Sequence, residues 1–161
     1  MSEDSSRKPE SHLVTLAMIA ILGGIAVAGH YGSPLLLPKA DVKAPPLPGC
    51  DLQRQACAAI LPDGGRIELS ITPRPIPILA PLRLEVTVSG LKADKVEVDF
   101  AGETMNMGYN RTELATAGEG RHAGETSLPV CVSGGMTWVA TVLVESRRQR
   151  IAVPYRVAVG Y

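Results

Sequence analysis

Aromatic and histidine side chains are scarce in this sequence. Its 161 residues contain one Phe, one Trp, four Tyr and three His. A core built from such a chain must be largely aliphatic. Only His122 falls in the part expected to fold, so a His-rich metal-binding tract is absent.

Catalytic motifs and an excess of charge are also missing. No G-x-S-x-G, HExxH or phosphate-binding loop occurs, which gives no reason to expect an enzyme. The chain has 16 Lys plus Arg and 16 Asp plus Glu, so it lacks the basic footprint of a nucleic-acid-binding protein.

One long apolar run lies near the N-terminus. Leu13 to Gly29 is uncharged and as a helix would be about 25 Å long, within the lower range for a membrane span. A signal peptide is the alternative, because Ala26-Val27-Ala28 offers a cleavage pattern, but the preceding residues 1–12 are long and mixed in charge. We therefore predict a cytoplasmic tail over 1–12 and an uncleaved inner-membrane anchor over 13–31, with the folded part in the periplasm.

A proline-rich segment separates this run from the rest of the chain. Residues 32–49 contain five prolines, at positions 34, 38, 45, 46 and 48. Such a composition favours an extended linker. Residues 50–161 then form a single periplasmic domain of ordinary size.

Alternation of apolar and polar residues dominates residues 50–161. It predicts strands over 55–61, 66–71, 82–88, 95–100, 124–132, 137–145 and 150–159. Pro129 and Pro154 restrict their strands to edges or bulges. Because no helical period competes, the fold class is all-β: an immunoglobulin-like antiparallel β-sandwich on an N-terminal transmembrane helix.

The three cysteines lie in the exported part, where disulfides persist. Cys50 and Cys57 are close in sequence, and a local disulfide between them is the simplest expectation. A redox-active pair is the alternative. Cys131 is left over and is either buried, paired with another chain, or functional.

Two methionines, Met105 and Met107, flank Asn106 in a glycine-rich loop after the strand over 95–100. Thioether and thiolate sulfurs are soft ligands that select Cu(I). Cys131, Met136 and His122 are candidates to complete such a site. The alternative is packing, since Met fills irregular gaps in cores and Met136 lies close to Trp138.

A family resemblance covers residues 82–144. It is carried by "LRLEVTVSGL", "VEVDFAGETMNMGYN", "ELATAGEGRHAGETSLP" and "GGMTWVATVLV". These segments resemble the small exported β-sandwich group that includes the YtkA-like and FixH-like proteins. The resemblance implies copper handling or the assembly of haem-copper oxidases. Members commonly have histidines near the methionine loop, which this loop lacks.

Two functions of different class follow. The first is a membrane-anchored periplasmic Cu(I)-binding protein, a copper chaperone or assembly factor that delivers copper to a cuproprotein such as a haem-copper oxidase. The alternative is a metal-free interaction module or accessory subunit of a membrane complex. Its loop would then contact the partner through Asn106, Tyr109 and Arg111.

Overall fold

The computed structural model describes residues 10–36, 40–129, 135–147 and 149–160. The chain divides into two compact units, Met1–Lys39 and Ala40–Tyr161. The first unit contains helix α1 (Glu10–Leu36). Its stretch His12–His30 has a mean hydropathy of 2.1 and is long and apolar enough to cross a membrane. The predicted helix is therefore present, and it continues five residues past the predicted anchor.

The second unit is a β-sandwich of two five-stranded sheets. Its strands are β1 (Val42–Lys43), β2 (Cys57–Ile60), β3 (Arg66–Thr72), β4 (Leu82–Ser89), β5 (Lys95–Gly102), β6 (Arg111–Glu113), β7 (Ala115–Gly118), β8 (Arg121–Thr126), β9 (Met136–Ser146) and β10 (Gln149–Val159). Sheet A has the order β1-β10-β9-β5-β6, and sheet B has the order β2-β3-β4-β8-β7. Apart from the parallel β1–β10 pair, the described pairings are antiparallel. The predicted all-β sandwich on a helix is confirmed.

The folded unit begins earlier than the sequence indicated. Val42–Lys43 pairs with β10, and Ala44 is buried. The backbone N–H of Leu47 donates to Ala58 O at 2.8 Å. Residues 40–49 therefore belong to the sandwich rather than to the linker predicted over 32–49. A proline-rich segment favours an extended chain, and its non-proline residues keep the N–H groups that strand pairing needs.

The strand predicted over 124–132 is displaced. The structure has β8 at Arg121–Thr126, and residues 130–132 lie outside the described residues. Gly118, Gly120 and Gly124 lie within or beside this hairpin. Because these glycines weaken the alternation of apolar and polar residues, the sequence pattern predicts that the strand begins at residue 124 rather than at residue 121.

Pro154 lies where its missing N–H costs no ladder hydrogen bond. Arg150 O and Ala152 O accept bonds from the β1 side, so these alternate residues of β10 direct their backbone groups towards that edge. The backbone nitrogen of Pro154 points to the same side of β10 as those of Arg150 and Ala152, but it lies beyond Ile151 and Ala152, the two residues that pair with β1. The predicted edge position of this proline is confirmed.

Aliphatic side chains fill the space between the sheets, together with Phe100, Trp138 and Tyr155. The buried Tyr155 hydroxyl donates to Ile67 O at 3.0 Å and so joins sheet A to sheet B. Burial raises the pKa of Tyr155 well above its usual value. This phenol therefore stays a hydrogen-bond donor throughout the physiological pH range.

The sandwich has two ends, which we name by what they carry. The methionine pole comprises the connections at 73–81, 103–110 and 127–129 and the start of β9. The hairpin pole comprises the connections at 61–65, 90–94, 119–120 and 146–147. The chain enters the unit at the hairpin pole, because Asp41 N donates to Arg150 O there.

Candidate functional site

Two of the methionines converge above Gly102, the last residue of β5. A Cβ built on Gly102 would lie 3.2 Å from Met107 Cγ and 3.2 Å from Met136 Cε. The sulfur of each residue is bonded directly to the atom measured. The two side chains therefore approach the same point above Gly102, where the absence of a side chain leaves them room.

Strand pairing and a tight turn produce this convergence. Gly102 pairs with Trp138, so the start of β9 brings Met136 beside the end of β5. Glu103 N then donates to Thr137 O at 3.0 Å. Asn106 Oδ1 accepts the N–H of Gly108 at 2.9 Å, and Gly108 has φ of 77°. This Asx-type turn returns the loop so that Met107 faces the sandwich.

The three methionines differ in exposure. Met136 is buried, Met107 is half-buried against the core, and Met105 is 41% exposed. The carbonyl oxygen of Met105 lies 2.5 Å from the Gly102 Cβ position, so this loop residue passes directly over the glycine. The methionines thus form a series from the core to the surface.

His122 is not brought to the methionines. It lies on β8 in sheet B and lines a cavity of about 700 Å³ at the hairpin pole, together with loop residues 89–93 and the β7–β8 turn. The methionine loop follows the opposite end of β5, which has eight residues and is therefore about 25 Å long. The prediction that His122 completes the methionine site is not supported by this placement.

Burial determines the chemistry of His122. The side chain is 7% exposed, and its buried Nδ1 has no hydrogen-bond partner among the described residues. Burial lowers the pKa of His122, and a hydrogen bond with the Gly120 backbone opposes this in part. The imidazole is therefore neutral at physiological pH.

Cys50 and Cys57 form the predicted disulfide, with their Cα atoms 5.2 Å apart. Cys57 begins β2 and is buried, and Cys50 is half-buried against the core. The bridge ties the segment after β1 to sheet B. Cys131, the third cysteine and a predicted ligand, lies outside the described residues.

The three predicted partner contacts differ in availability. Tyr109 is 81% exposed. The guanidinium of Arg111 lies 5.5 Å from the centre of the Tyr109 ring and 3.6 Å from Asp99 Oδ2. Asn106 is exposed, but its side-chain oxygen is used by the turn. Tyr109 is therefore the residue of this set most open to a partner.

Gly102 is the position of the candidate site that sequence reasoning missed. It ends β5 three residues before the first loop methionine, and a side chain there would fill the space that Met107 and Met136 share. A glycine directly before a methionine pair was the available signal, since glycine in a strand often marks the close approach of another group.

Among the described residues, the side-chain donors that approach Gly102 are thioethers. Within the part of the chain that the structure describes, no three His, Cys, Asp or Glu side chains group in a way that could hold a metal ion. A hard or borderline cation would lack its preferred ligands here. A soft monovalent ion suits thioether donors.

Comparison with known proteins gives little further guidance. No family model and no curated protein matches the chain. A solved engineered protein, a Northeast Structural Genomics Consortium target, is similar over 58% of this chain with 22% identity and a TM-score of 0.43. This chain spans one fifth (20%) of the length of that structure.

Proposed function

We propose that this protein binds Cu(I) at the methionine pole and passes it to a cuproprotein. The observation that supports this proposal is the convergence of Met107 and Met136 above Gly102. Met105, exposed on the same loop, is the third donor. Copper is the cargo of this function, and no covalent chemistry is required of the chain.

The donor chemistry supports uptake and release. Thioethers are neutral, soft donors that prefer Cu(I) over the harder divalent cations. A series of methionines from exposed to buried gives an incoming ion a first contact at Met105 and a drier position between Met107 and Met136. A partner that offers thiolates or imidazoles can then withdraw the ion from the exposed end.

The proposed setting is the periplasmic face of an inner membrane. It rests on α1, which is long and apolar enough to span a bilayer, and on the disulfide, which persists in oxidising compartments. The resemblance to YtkA-like and FixH-like proteins supports a copper chaperone or an assembly factor for a haem-copper oxidase. The recipient is accordingly a cuproprotein of the same compartment.

The direct test is Cu(I) binding by the full chain in detergent. Ascorbate keeps copper reduced without supplying a thiol, and a chromophoric Cu(I) chelator competes for the ion. We expect binding of about one Cu(I) per chain, with similar binding of Ag(I) and none of Zn²⁺. The Met105→Leu/Met107→Leu double variant and Met136→Leu should each lower the affinity at least about tenfold.

Met18→Leu is the matched control, because Met18 is an exposed methionine of α1 in the other unit. It should bind Cu(I) as the parent chain does. Equal affinity of the Met105→Leu/Met107→Leu variant and the parent would refute the site. Loss of binding in Cys131→Ser alone would move the site to the cysteine.

A metal-free interaction module is the second candidate function. The exposed Tyr109, with Arg111 beside its ring, favours it, because aromatic and arginine side chains are enriched at the centres of protein interfaces. In this case the buried methionines serve only as core packing. Tyr109→Ala would then abolish association with the membrane complex, and Cu(I) would leave the unfolding temperature unchanged.

A further inference from the structure

The two outer faces of the sandwich differ in chemistry. Sheet B presents mostly polar and charged side chains along its three central strands. The polar and charged ones are Arg66, Glu68, Ser70 and Thr72 of β3, Arg83, Glu85, Thr87 and Ser89 of β4, and Arg121 and Glu125 of β8. Such a face is suited to water on its own.

Sheet A instead has an uncharged strip at its centre. β9, the middle strand, presents Thr137, Val139, Thr141 and Leu143 outward, while its other face packs in the core. Ala152 and Pro154 of β10 and Ala101 of β5 extend the strip to either side. Over residues 137–143 the outward face of β9 carries no charge, which is typical of a strand that is covered on both faces.

Charged side chains flank this strip, and their signs differ between the two sides. On the β1–β10 side, the outward charged residues of the strands are Lys43, Arg150 and Arg156, all basic, and the exposed Asp41 directly before β1 lies beside Arg150, so this flank is net basic. On the β5–β6 side, the outward charges are Lys95, Glu97, Asp99, Arg111 and Glu113, which carry an acidic excess. Sheet A is thus apolar at its centre, basic on one flank and net acidic on the other.

We propose that the outer face of sheet A is an interface with a second copy of this chain. A two-fold axis along β9 places the central strip of one copy on that of the other. The same rotation exchanges the flanks, so the basic side of each copy covers the acidic side of its partner. The face is therefore complementary to itself, as a two-fold interface requires.

Strand register specifies the principal contact. Lys43, Ala152, Leu143, Glu97 and Glu113 form one row across the sheet. Rotation about β9 brings Lys43 of one copy opposite Glu113 of the other. An axis across the strands would instead bring the basic flanks of the two copies together.

The row Arg150, Glu145 and Lys95 brings Arg150 level with Lys95 of the other copy and Glu145 level with its own counterpart. All three are already paired within their own copy, since Arg150 is bonded to Glu145, and Lys95 Nζ lies 3.1 Å from Glu97 Oε1 and from Glu113 Oε2. These internal pairs reduce the repulsion between the like charges. The row therefore remains compatible with the two-fold arrangement.

The size of the face is compatible with a dimer. The strands of sheet A have 2 residues in β1, 11 in β10, 11 in β9, 8 in β5 and 3 in β6. At about 3.3 Å per residue and about 4.8 Å between strands they cover about 550 Å², so two copies together reach the roughly 1,000 Å² that a specific interface needs. Because the apolar strip covers only part of that area, the charged flanks must also take part.

Site-specific cross-linking of the purified full chain in detergent tests the proposal. Thr141 and Thr87 are matched half-exposed threonines, since each lies on the third strand of its sheet and points outward. Thr141→Cys, in a Cys131→Ser background, should be joined to its counterpart by a short bifunctional thiol reagent. The sheets would be about 10 Å apart, too far for direct oxidation to a disulfide. Thr87→Cys should remain monomeric.

Two pairs of substitutions sharpen the result. Leu143→Arg should abolish the Thr141→Cys cross-link, while Thr87→Arg should not, with both variants retaining the parent's Trp138 fluorescence. Lys43→Glu and Glu113→Lys should each weaken dimerisation about two- to fivefold. Their combination should restore it.

Three outcomes would contradict the proposed dimer. Equal cross-linking at Thr141→Cys and Thr87→Cys would attribute the contact to shared micelles and overturn the proposal. The proposal would also be overturned if the measured mass of both the Thr141→Cys and the Thr87→Cys variant were that of a monomer. A Thr141→Cys adduct of some other mass in native membranes, without the dimer, would assign the face to a different partner.

Discussion

The two poles of the sandwich place their unusual side chains in opposite ways. At the methionine pole, Met105 and Met107 are on a loop, and Met107 approaches Met136 at the start of a strand. At the hairpin pole, His122 lies within a strand, faces the core and leaves Nδ1 without a partner among the described residues. One pole offers soft donors near the surface, and the other buries a titratable base.

Because of this difference, we expect mutations at the two poles to have different effects. A loop can shift when a ligand enters, because few buried contacts restrain it. A residue in the middle of a strand can shift only if its ladder shifts as well. We therefore expect changes at the methionine pole to alter copper binding, and changes at the hairpin pole to alter the free energy of unfolding.

The largest expected effect is that of Gly120→Ala on stability. Gly120 has φ of 68°, and an added Cβ would lie 2.5 Å from Val88 O. Val88 cannot move away easily, because its N–H donates to Gly120 O at 2.7 Å. We expect a loss of about 3 kcal/mol in the free energy of unfolding, measured by denaturant titration of Trp138 fluorescence.

Gly108→Ala is the matched control at the other pole. Gly108 also has positive φ, of 77°, but nothing lies within 4 Å of its Cβ position. Only backbone strain remains, so the loss should be about 1 kcal/mol. Equal losses in the two variants would show that the contact with Val88 O does not restrain the hairpin.

Gly102→Ala should have a smaller effect on stability and a larger one on binding. The added methyl group would enter the space shared by Met107 and Met136, and the loop can shift to relieve the contact with Met105 O. We expect a loss of about 1 kcal/mol in stability. Affinity for Ag(I) should fall about tenfold, because the donors are displaced from each other.

Ala101→Ser provides the control for Gly102→Ala. Ala101 is the exposed neighbour of Gly102 on β5 and points away from the methionines. Neither stability nor Ag(I) affinity should change measurably. Unchanged Ag(I) affinity in Gly102→Ala itself would contradict the convergence as the basis of binding.

Acid should weaken the hairpin pole through His122. Its pKa is lowered in the folded state from 6.5, so the unfolded chain takes up the proton first. The stability that depends on the neutral imidazole is present above about pH 6.5 and is lost as the pH falls below that value. Lys92 and Glu119 are the charged residues that line the same cavity.

His122→Leu tests this dependence. It should flatten the decline in the free energy of unfolding between about pH 7.5 and about pH 5.5, a window above the titration of ordinary carboxylates. The other two histidines lie in the first unit, so they do not contribute to the unfolding of the sandwich. An unchanged slope in the variant would exclude His122 as its source.

The smallest expected effect is that of pH on the methionine pole. Thioethers bind no protons in this range, so Cu(I) affinity should change less than about twofold between about pH 7.5 and about pH 5.5. His122→Leu should not alter that affinity. A steep loss of affinity on acidification would instead indicate an imidazole or thiolate ligand.

The strands that sequence patterning predicted well are those with uninterrupted alternation. β3, β4, β5, β9 and β10 match their predicted ranges within one or two residues at each end. β1 was missed, because it is held by a partner more than a hundred residues away: Arg150 N donates to Asp41 Oδ2 across 109 positions. β6 and β7 are too short to show a period.

The candidate site was predicted in its residue types more than in its arrangement. The unusual methionine pair was visible in the sequence, but its neighbour Met136 is positioned by the pairing of Gly102 with Trp138. That register is a property of the assembled sheet. The same limit explains why the sequence grouped His122 with the methionines, since spacing along the chain does not reveal at which pole of the sandwich a residue lies.

The parallel pairing of β1 with β10 has a mechanical consequence. A pull on the chain at residue 40 acts along β1, so the bonds from Asp41 N to Arg150 O and from Ala44 N to Ala152 O are loaded together rather than one after another. If β1 is drawn out, the disulfide between Cys50 and Cys57 passes the load directly to the start of β2, so residues 51–56 are not extended. Tension on the tether therefore releases residues 40–49 before it acts on sheet B.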